Sequence, residues 1–456
     1  MIGYGGLCKR VFMMKSGATE LDTFYPVRPE CQNDVPHTRF KPRAGKTLSA
    51  RRWHASFSAD GRLNIAKVLR RIQRGGVHPS VKGVVWEFLL GCYDPNSTFD
   101  ERNELMQRRR GQYDMWKAEC QKMVPAIGSG KFIITPLISD DGKPTDPSLI
   151  GVPTSDKKVL QWMQVLHQIG FTKGKTTYEA STLTWTLDNA QNIGKTCLRQ
   201  SLDVVRTDRA LVFYESEANQ AKLWDVLAVF AWLNNDIGYV QGMNDICSPL
   251  IILIENEADC FWCFERAMRR LRENFRCSAS SMGVQSQLST LSQIMKTVDP
   301  KLHQHLEDLD GGEYLFAFRM LMVLFRREFS FADTLYLWEL MWGMEYNPNI
   351  FSKYEDPDRT KAKESSSAIN DKMLKQYGKF ERKNVKTGHT EESISLAIFL
   401  VASILEIKNK RFLNEAKGVD DVVQILGDIT SNLDAKKACT EALKIQKKYL
   451  SKAKKA

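Results

Sequence analysis

Leu223-Trp224-Asp225-Val226-Leu227-Ala228-Val229-Phe230-Ala231-Trp232-Leu233 is the stretch that decides the fold. Wound as a helix it is apolar nearly all round, so it belongs inside a helical domain and not on its surface. Asn234-Asn-Asp-Ile-Gly238 ends it with turn-forming residues. A short polar segment stands on each side. Upstream is Leu202-Asp-Val-Val-Arg206-Thr-Asp, and downstream is Gly238-Tyr-Val-Gln241-Gly-Met-Asn-Asp245. Taken alone, the first is a charged turn in which Asp203 and Arg206 could simply pair at i, i+3, worth a few tenths of a kcal/mol. The second alone is a tight polar turn between buried helices. Together, at the two ends of one buried helix, they have fixed relative positions and can face one external partner.

Helical periodicity continues outward. Arg62 to Ile72 carries Leu63, Ile65, Ala66, Val68, Leu69 and Ile72, and Gly75-Gly76 ends it. Pro79 precedes a helix over Ser80 to Leu90, with Gly91 at its end. Asp94 to Cys120 is charged and reads as helical. Val159, Trp162, Met163, Leu166 and Ile169 mark one face of another helix. Leu250–Ile254, Tyr314–Phe325, Leu335–Trp342, Ile394–Ile407 and Val419–Leu426 extend the set. Few segments alternate with period two and no βαβ rhythm appears, so the expected fold is all-α. Residues 1–50, with Pro26, Pro29, Pro36 and Pro42, read as an irregular basic extension. Residues 51–445 read as the main domain, with insertions near 94–155 and 356–388, and 446–456 as a basic tail. Turn formers crowd Gly128 to Thr154.

The balance of 65 Lys+Arg against 54 Asp+Glu gives a formal charge of +11. Part of the excess sits at the ends. Arg39, Lys41, Arg43, Lys46, Arg51 and Arg52 lie between His37 and His54 without an acid, and Lys447, Lys448, Lys452, Lys454 and Lys455 close the chain. Such ends can be solvated tails or can favour an anionic membrane surface. No nucleic-acid motif accompanies them, so no nucleic acid is expected. Cys260-Phe-Trp-Cys263 has no second pair and no histidine at ligand spacing, so two buried helix thiols fit better than zinc. Met1 to Thr19 has no sustained apolar segment, and Ile394–Ile407 is too short to span a bilayer. The expected location is cytoplasmic, with peripheral contact at endomembranes.

Gly-Lys-Thr occurs at Gly45, Gly174 and Gly194, yet Phe40, Ile169 and Asn189 stand where a phosphate-cradling loop needs its first glycine. No nucleotide cofactor of its own is therefore expected. His303, His305 and Glu307 suggest a metal cluster only on paper, because residues two apart on a helix do not share a face. No metal is expected.

Three pieces resemble the TBC-domain family of Rab GTPase-activating proteins. They are Gly76-Val-His-Pro-Ser-Val-Lys-Gly-Val-Val-Trp86-Glu-Phe-Leu-Leu-Gly91, Asp203-Val-Val-Arg206-Thr207 and Tyr239-Val-Gln241-Gly-Met-Asn-Asp245. Phe325-Arg-Arg-Glu-Phe329 followed by Leu337-Trp338-Glu is similar to the family's second helical lobe. The resemblance spans roughly residues 75–445 and implies a two-lobed, all-α TBC domain. It implies a Rab-family GTPase as partner, which itself carries GTP and magnesium. By the same resemblance Arg206 is an arginine finger and Gln241 a glutamine finger standing in for the GTPase's own. Asp203 and Tyr239 hold the two in place, Thr207, Asn244 and Asp245 support the motifs, and Trp86 is a core anchor. Gly242, beside Gln241, leaves room for a phosphate to approach. The sequence departs from the family at Gln200, usually aliphatic, and at Lys82, usually arginine. The long gap from Trp86 to Asp203, with Trp53-His-Ala-Ser-Phe-Ser-Ala-Asp60-Gly-Arg62, looks like a subgroup with a large insertion. A guanidinium can bind charge developing on a transferring phosphoryl group, and an amide can orient water by donating and accepting at once. A catalytically silent scaffold of the same fold is the alternative, and the presence of both fingers argues against it.

Overall fold

In the computed structural model the described residues are 20–131, 200, 203–234, 236–276, 283–355, 371–387, 394–429 and 433–453. Helices of eight residues or more among them are α1 (Ile65–Gly75), α2 (Lys82–Leu89), α3 (Phe99–Met123), α4 (Glu217–Leu233), α5 (Met243–Leu253), α6 (Glu257–Phe275), α7 (Gly283–Val298), α8 (Pro300–Asp308), α9 (Phe331–Met344), α10 (Leu396–Ile407), α11 (Val419–Ile429) and α12 (Ala435–Ala453). Only isolated β-bridges accompany them among the described residues. The fold is all-α. The helix expected over Val159–Ile169, and nearly all of the Gly128–Thr154 segment, lie outside the described residues.

Helix α4 is buried continuously from Leu223 to Ala231. Its apolar faces are covered by α3, α5 and α6, which together form one lobe. Asp225 is the polar exception inside it. Lys117 of α3 meets its carboxylate at 2.9 Å, and the Gly128 amide donates to it at 3.0 Å. The same lysine reaches Glu257 at the start of α6 at 2.5 Å, and Tyr113 donates to that glutamate. Helix α3 opens with a capping box in which Thr98 and Glu101 satisfy each other's amides. The whole of α3 falls in the stretch read as an insertion near 94–155 and, as expected for Asp94 to Cys120, is helical; it is a wall of the lobe, bonded through charge pairs.

The second lobe gathers α7, α10 and α12, with α9 against α12. Helix α10 is buried from Leu396 to Leu405. Helix α9 also packs on α1 and α2, and so connects the N-terminal part of the domain to this lobe. At that junction Glu339 is wholly buried. It accepts from Lys82, from Trp86 Nε1 at 3.2 Å and from the Val77 amide at 2.9 Å. Burial raises its pKa against the pull of Lys82 and lowers that of Lys82 against the pull of Glu339. Trp86 also packs edge-on against Trp342, with ring centroids 4.8 Å apart. Gly76 has φ +67°, and a Cβ there would meet the Tyr336 ring at 2.6 Å, so both backbone and packing require glycine.

Three expectations change. Much of the extension before residue 50 is docked: the amides of Arg39 and Phe40 donate to Asp333, and Phe40 stacks on Tyr336. The stretch Tyr314–Phe325 is not one helix. Helical residues Phe318–Met322 give way to left-handed Leu324 and Phe325 (φ 47° and 60°), held because Trp338 Nε1 donates to the Leu324 carbonyl and Phe325 is fully buried. Residues 446–453, read as tail, continue α12. Lys448 and Lys452 donate to Val298 and Thr297 at the C-terminal end of α7, where a cation is favoured. Among the described residues no helix is long and apolar enough to cross a membrane.

Two substitutions test this core. Glu339→Ala leaves a buried lysine unpaired and should cost about 3–5 kcal/mol in urea unfolding, with Lys82→Met/Glu339→Leu recovering part of the loss. A double variant no more stable than the single would contradict that account. The second concerns Asp225, whose pKa burial raises from 3.8 to about 6 against the attraction of Lys117. The folded chain thus holds this proton more tightly than the unfolded chain. The stability it contributes is present below 3.8 and is lost as pH rises through about 6. Asp225→Asn should remove that pH-dependent loss, so its stability relative to the parent should rise by up to about 3 kcal/mol between roughly pH 4 and 7. A difference independent of pH would refute it.

Candidate functional site

One polar turn follows α4 directly, and the other lies upstream of it, beyond the short helical turn Val212–Glu215. Residues 203–206 are helical, and Thr207 caps that turn by donating its hydroxyl to the Asp203 carbonyl at 2.6 Å. Asp208 then takes a left-handed conformation (φ 45°), accepting from Ser248 Oγ at 2.6 Å and from Arg326. At the other end, the Ile237 and Gly238 amides return to the Asn234 carbonyl, and Gly238 has φ +63°. Arg272 of α6 grips this loop through Asn234 at 2.7 Å and Asp236 at 2.5 Å.

A closed hydrogen-bond circuit joins the turns. Asp203 Oδ1 accepts from Arg206, and Asp203 Oδ2 accepts from the Tyr239 hydroxyl at 2.7 Å. Asn244 completes the circuit. Its Nδ2 donates to Thr207 Oγ1 at 2.9 Å, and its Oδ1 accepts from the Gly242 amide at 3.0 Å and lies 3.2 Å from the Tyr239 hydroxyl. Burial, with the hydrogen bond and charge of Asp203, pushes the Tyr239 phenol well above its usual range, so it remains a donor. The Asp203 side chain is 5% exposed and that of Arg206 54%, so the anchor is inside and the guanidinium outside. Gln241 is exposed too, and its amide has no hydrogen bond among the described residues.

Asp203, Arg206, Thr207, Tyr239, Gly242 and Asn244 therefore come together as one unit. Asp245 faces elsewhere: Arg327 reaches it at 2.9 Å, and burial raises its pKa against that attraction. Trp86 is no part of the unit and stands with Glu339 in the core. Gly242 has a different reason from the expected one. It has φ +103°, and a Cβ would meet Val323 Cγ1 at 2.9 Å. Protein fills the space beside it, so glycine serves backbone and packing there. Sequence reasoning missed Asp208, Ser248, Arg326 and Arg327. The adjacent arginines after the apolar run were visible, but their acidic partners lie 118 and 82 residues earlier.

The departures find local explanations. Buried Gln200 donates to the Trp224 carbonyl within α4, and Lys82 is the cation paired with Glu339. His303 turns to Tyr314 and His305 to the Phe412 carbonyl, and no group of three metal-ligating residues occurs among the described ones. Cys260 and Cys263 are fully buried free thiols. What the site offers chemically is a solvent-facing guanidinium held by a buried carboxylate, and a solvent-facing amide two residues from that carboxylate's second partner.

A family model described as the Rab-GTPase-TBC domain matches residues 162–353. Rab GTPase-activating protein 22 of Arabidopsis thaliana is 29% identical over 365 residues, covering 65% of this chain and 66% of that protein. TBC1 domain family member 17 of Homo sapiens is 28% identical over 309 residues, covering 67% of this chain and 38% of that protein. The chain thus spans a little under two thirds of the plant relative and little more than a third of the human one. The crystal structure of the Ypt/Rab-GAP domain of Gyp1p aligns with a TM-score of 0.51 at 16% identity, over 87% of this chain and 97% of that one, a likeness of fold. Over residues 162–353 the chain is thus similar to the Rab-GTPase-TBC domain family, and its helical architecture is similar to that of a Ypt/Rab-GAP domain.

Proposed function

We propose that this chain accelerates GTP hydrolysis by a Rab-family small GTPase, inserting Arg206 and Gln241 into the partner's nucleotide site in trans. The observation that carries the reading is the circuit through Asp203, Tyr239, Asn244 and Thr207, which holds two turns together while two exposed polar side chains project from them. A guanidinium clamped on one edge still presents other N–H groups to an anion. Fixed by Asp203, it would meet the charge developing on the transferring phosphoryl group with little reorganisation. Gln241 would orient the attacking water through its carbonyl and amide. GTP and magnesium would belong to the partner, and this chain would need no cofactor. Such an activity places it in membrane trafficking, in the cytoplasm at endomembrane surfaces. The similarity to a plant Rab GTPase-activating protein supports the same reading.

Single-turnover hydrolysis against a panel of purified Rab proteins tests it. In the general case an arginine finger is worth about 10³–10⁵ in rate. Arg206→Ala should lose most of that, and Arg206→Lys should fail nearly as badly, because an ammonium lacks the planar fork. Full activity in the lysine variant would remove Arg206 from the mechanism.

The unmodified chain should also act on a Rab whose own switch glutamine is replaced by alanine, and Gln241→Ala should abolish that activity without lowering the melting temperature. If Gln241→Ala lowers the melting temperature yet leaves the rate unchanged, Gln241 is a brace, and a GTPase-binding scaffold becomes the better description. Gly242→Ala should lower both stability and rate, since it strains the backbone and displaces Val323.

A further inference from the structure

The turn that carries Arg206 is held from two sides. On one side stands the circuit through Asp203, Tyr239 and Asn244. On the other lies the N-terminal strap, which runs from the short helix Glu20–Phe24 through residues 25–40. Val27 of the strap forms an antiparallel bridge with Leu211. Two backbone hydrogen bonds flank that bridge. The Arg28 amide donates to the Ala210 carbonyl at 2.8 Å, and the Val212 amide donates to the Pro26 carbonyl at 2.9 Å. Ala210 and Val212 stand four and six residues after Arg206. Arg28 Nε also lies 3.3 Å from Glu215 Oε1, in the turn that leads to α4.

A second route runs through side chains. Tyr25 is buried, and its ring meets that of Phe331 edge-on, with centroids 5.3 Å apart. The Arg326 guanidinium lies over the same Phe331 ring, 5.1 Å from its centroid. Arg326 in turn donates to Asp208, two residues after Arg206. Asp208 is left-handed at φ 45°, a conformation that a non-glycine residue keeps only where its surroundings hold it. Both routes converge on residues 208–212, through which the chain leaves the turn. The other end of the strap is fixed at the start of α9. There the Arg39 and Phe40 amides donate to Asp333, and Thr38 Oγ1 donates to Ser330 Oγ at 3.0 Å. The strap therefore ties the exit of the arginine turn to α9.

We infer that, granted the finger role proposed above for Arg206 on which this rests, the strap is a positioning element for that finger. Pairing of Val27 with Leu211 and packing of Tyr25 on Phe331 set where the guanidinium stands relative to the domain. The bond from Asp203 orients the guanidinium on its own helical turn, and the strap holds the end of that turn. Tyr25 and Arg28 act through other residues and not on the reacting groups. Positioning of this kind counts in rate, since a misplacement of about 1 Å caused far from the chemistry can cost roughly a hundredfold.

The test uses the full chain and a GTP-loaded Rab that it activates. Arg28→Pro removes the amide that meets Ala210, and the φ of −58° and ψ of 138° at Arg28 suit a proline followed by Pro29. Arg28→Gln gives up the contact with Glu215 and keeps the amide. Arg28→Pro should lower kcat about tenfold with the KM for the Rab unchanged, whereas Arg28→Gln should stay within about twofold of the parent. Tyr25→Ala should also lower kcat, and Tyr25→Phe, which retains the ring, should match the parent. Deuterium exchange gives a readout independent of activity. In Arg28→Pro the peptide spanning residues 203–211, which includes the Thr207 amide bonded to Val204, should exchange faster, while the peptide spanning 396–407 in α10 should not change. A raised KM with kcat intact would make the strap a contact for the Rab and overturn the inference. Unchanged exchange at 203–211, or equal kcat in Arg28→Pro and Arg28→Gln, would overturn it too. If the parent activates no Rab, or Arg206→Ala is fully active, the finger role fails separately, and the exchange at 203–211 alone decides whether the strap holds the turn.

Discussion

A helix that is apolar on every side is stable only when other helices cover every side. That constraint, set by Leu223 to Leu233, shapes the rest of the first lobe. It calls for neighbours in all directions, and α3, α5 and α6 supply them. It also forces the chain to enter and leave α4 through polar turns, because buried backbone at helix ends must still find hydrogen-bond partners. The turn that follows Leu233 is one such place, and it meets the turn at Asp203–Asp208, which lies upstream of α4 beyond Val212–Glu215. The circuit that joins them satisfies groups the core cannot.

The second constraint is a buried charge. Glu339 accepts from Lys82, Trp86 and Val77 at the meeting of α1, α2 and α9. Such an arrangement is weak support for stability in itself, but it tolerates few alternative packings, since every misplacement leaves a carboxylate or an ammonium unpaired. Here it fixes the segment running from Gly76 to Trp86 against α9, the helix that also carries Asp333 for docking the N-terminal strap.

Much of this was legible in the sequence. The all-round apolarity of α4, the turn chemistry at its ends and the periodicity of α1, α2 and α10 each follow from local pattern. So did the placing of Asp203, Arg206, Thr207, Tyr239 and Asn244 at one locus, by way of the family resemblance. Illegible parts share a cause: they depend on partners far along the chain. Helix α3 attaches through Arg110 and Lys117 to acids more than a hundred residues away, so its charged face looked like solvent surface. Leu324 and Phe325 take left-handed conformations that cost of order 1–3 kcal/mol each, and only the burial of Phe325 and the Trp338 contact account for them. The reason for Gly242 lay in Val323, which no local reading could supply.

Arg326 and Arg327 are neighbours in the chain, yet they hold different places: one grips Asp208 beside the first turn, the other Asp245 at the head of α5 behind the second. Their Cα atoms are about 3.8 Å apart by covalent geometry alone. Both turns are thus tied to one short segment leading into α9, so a change that disorders that segment would release both ties at once.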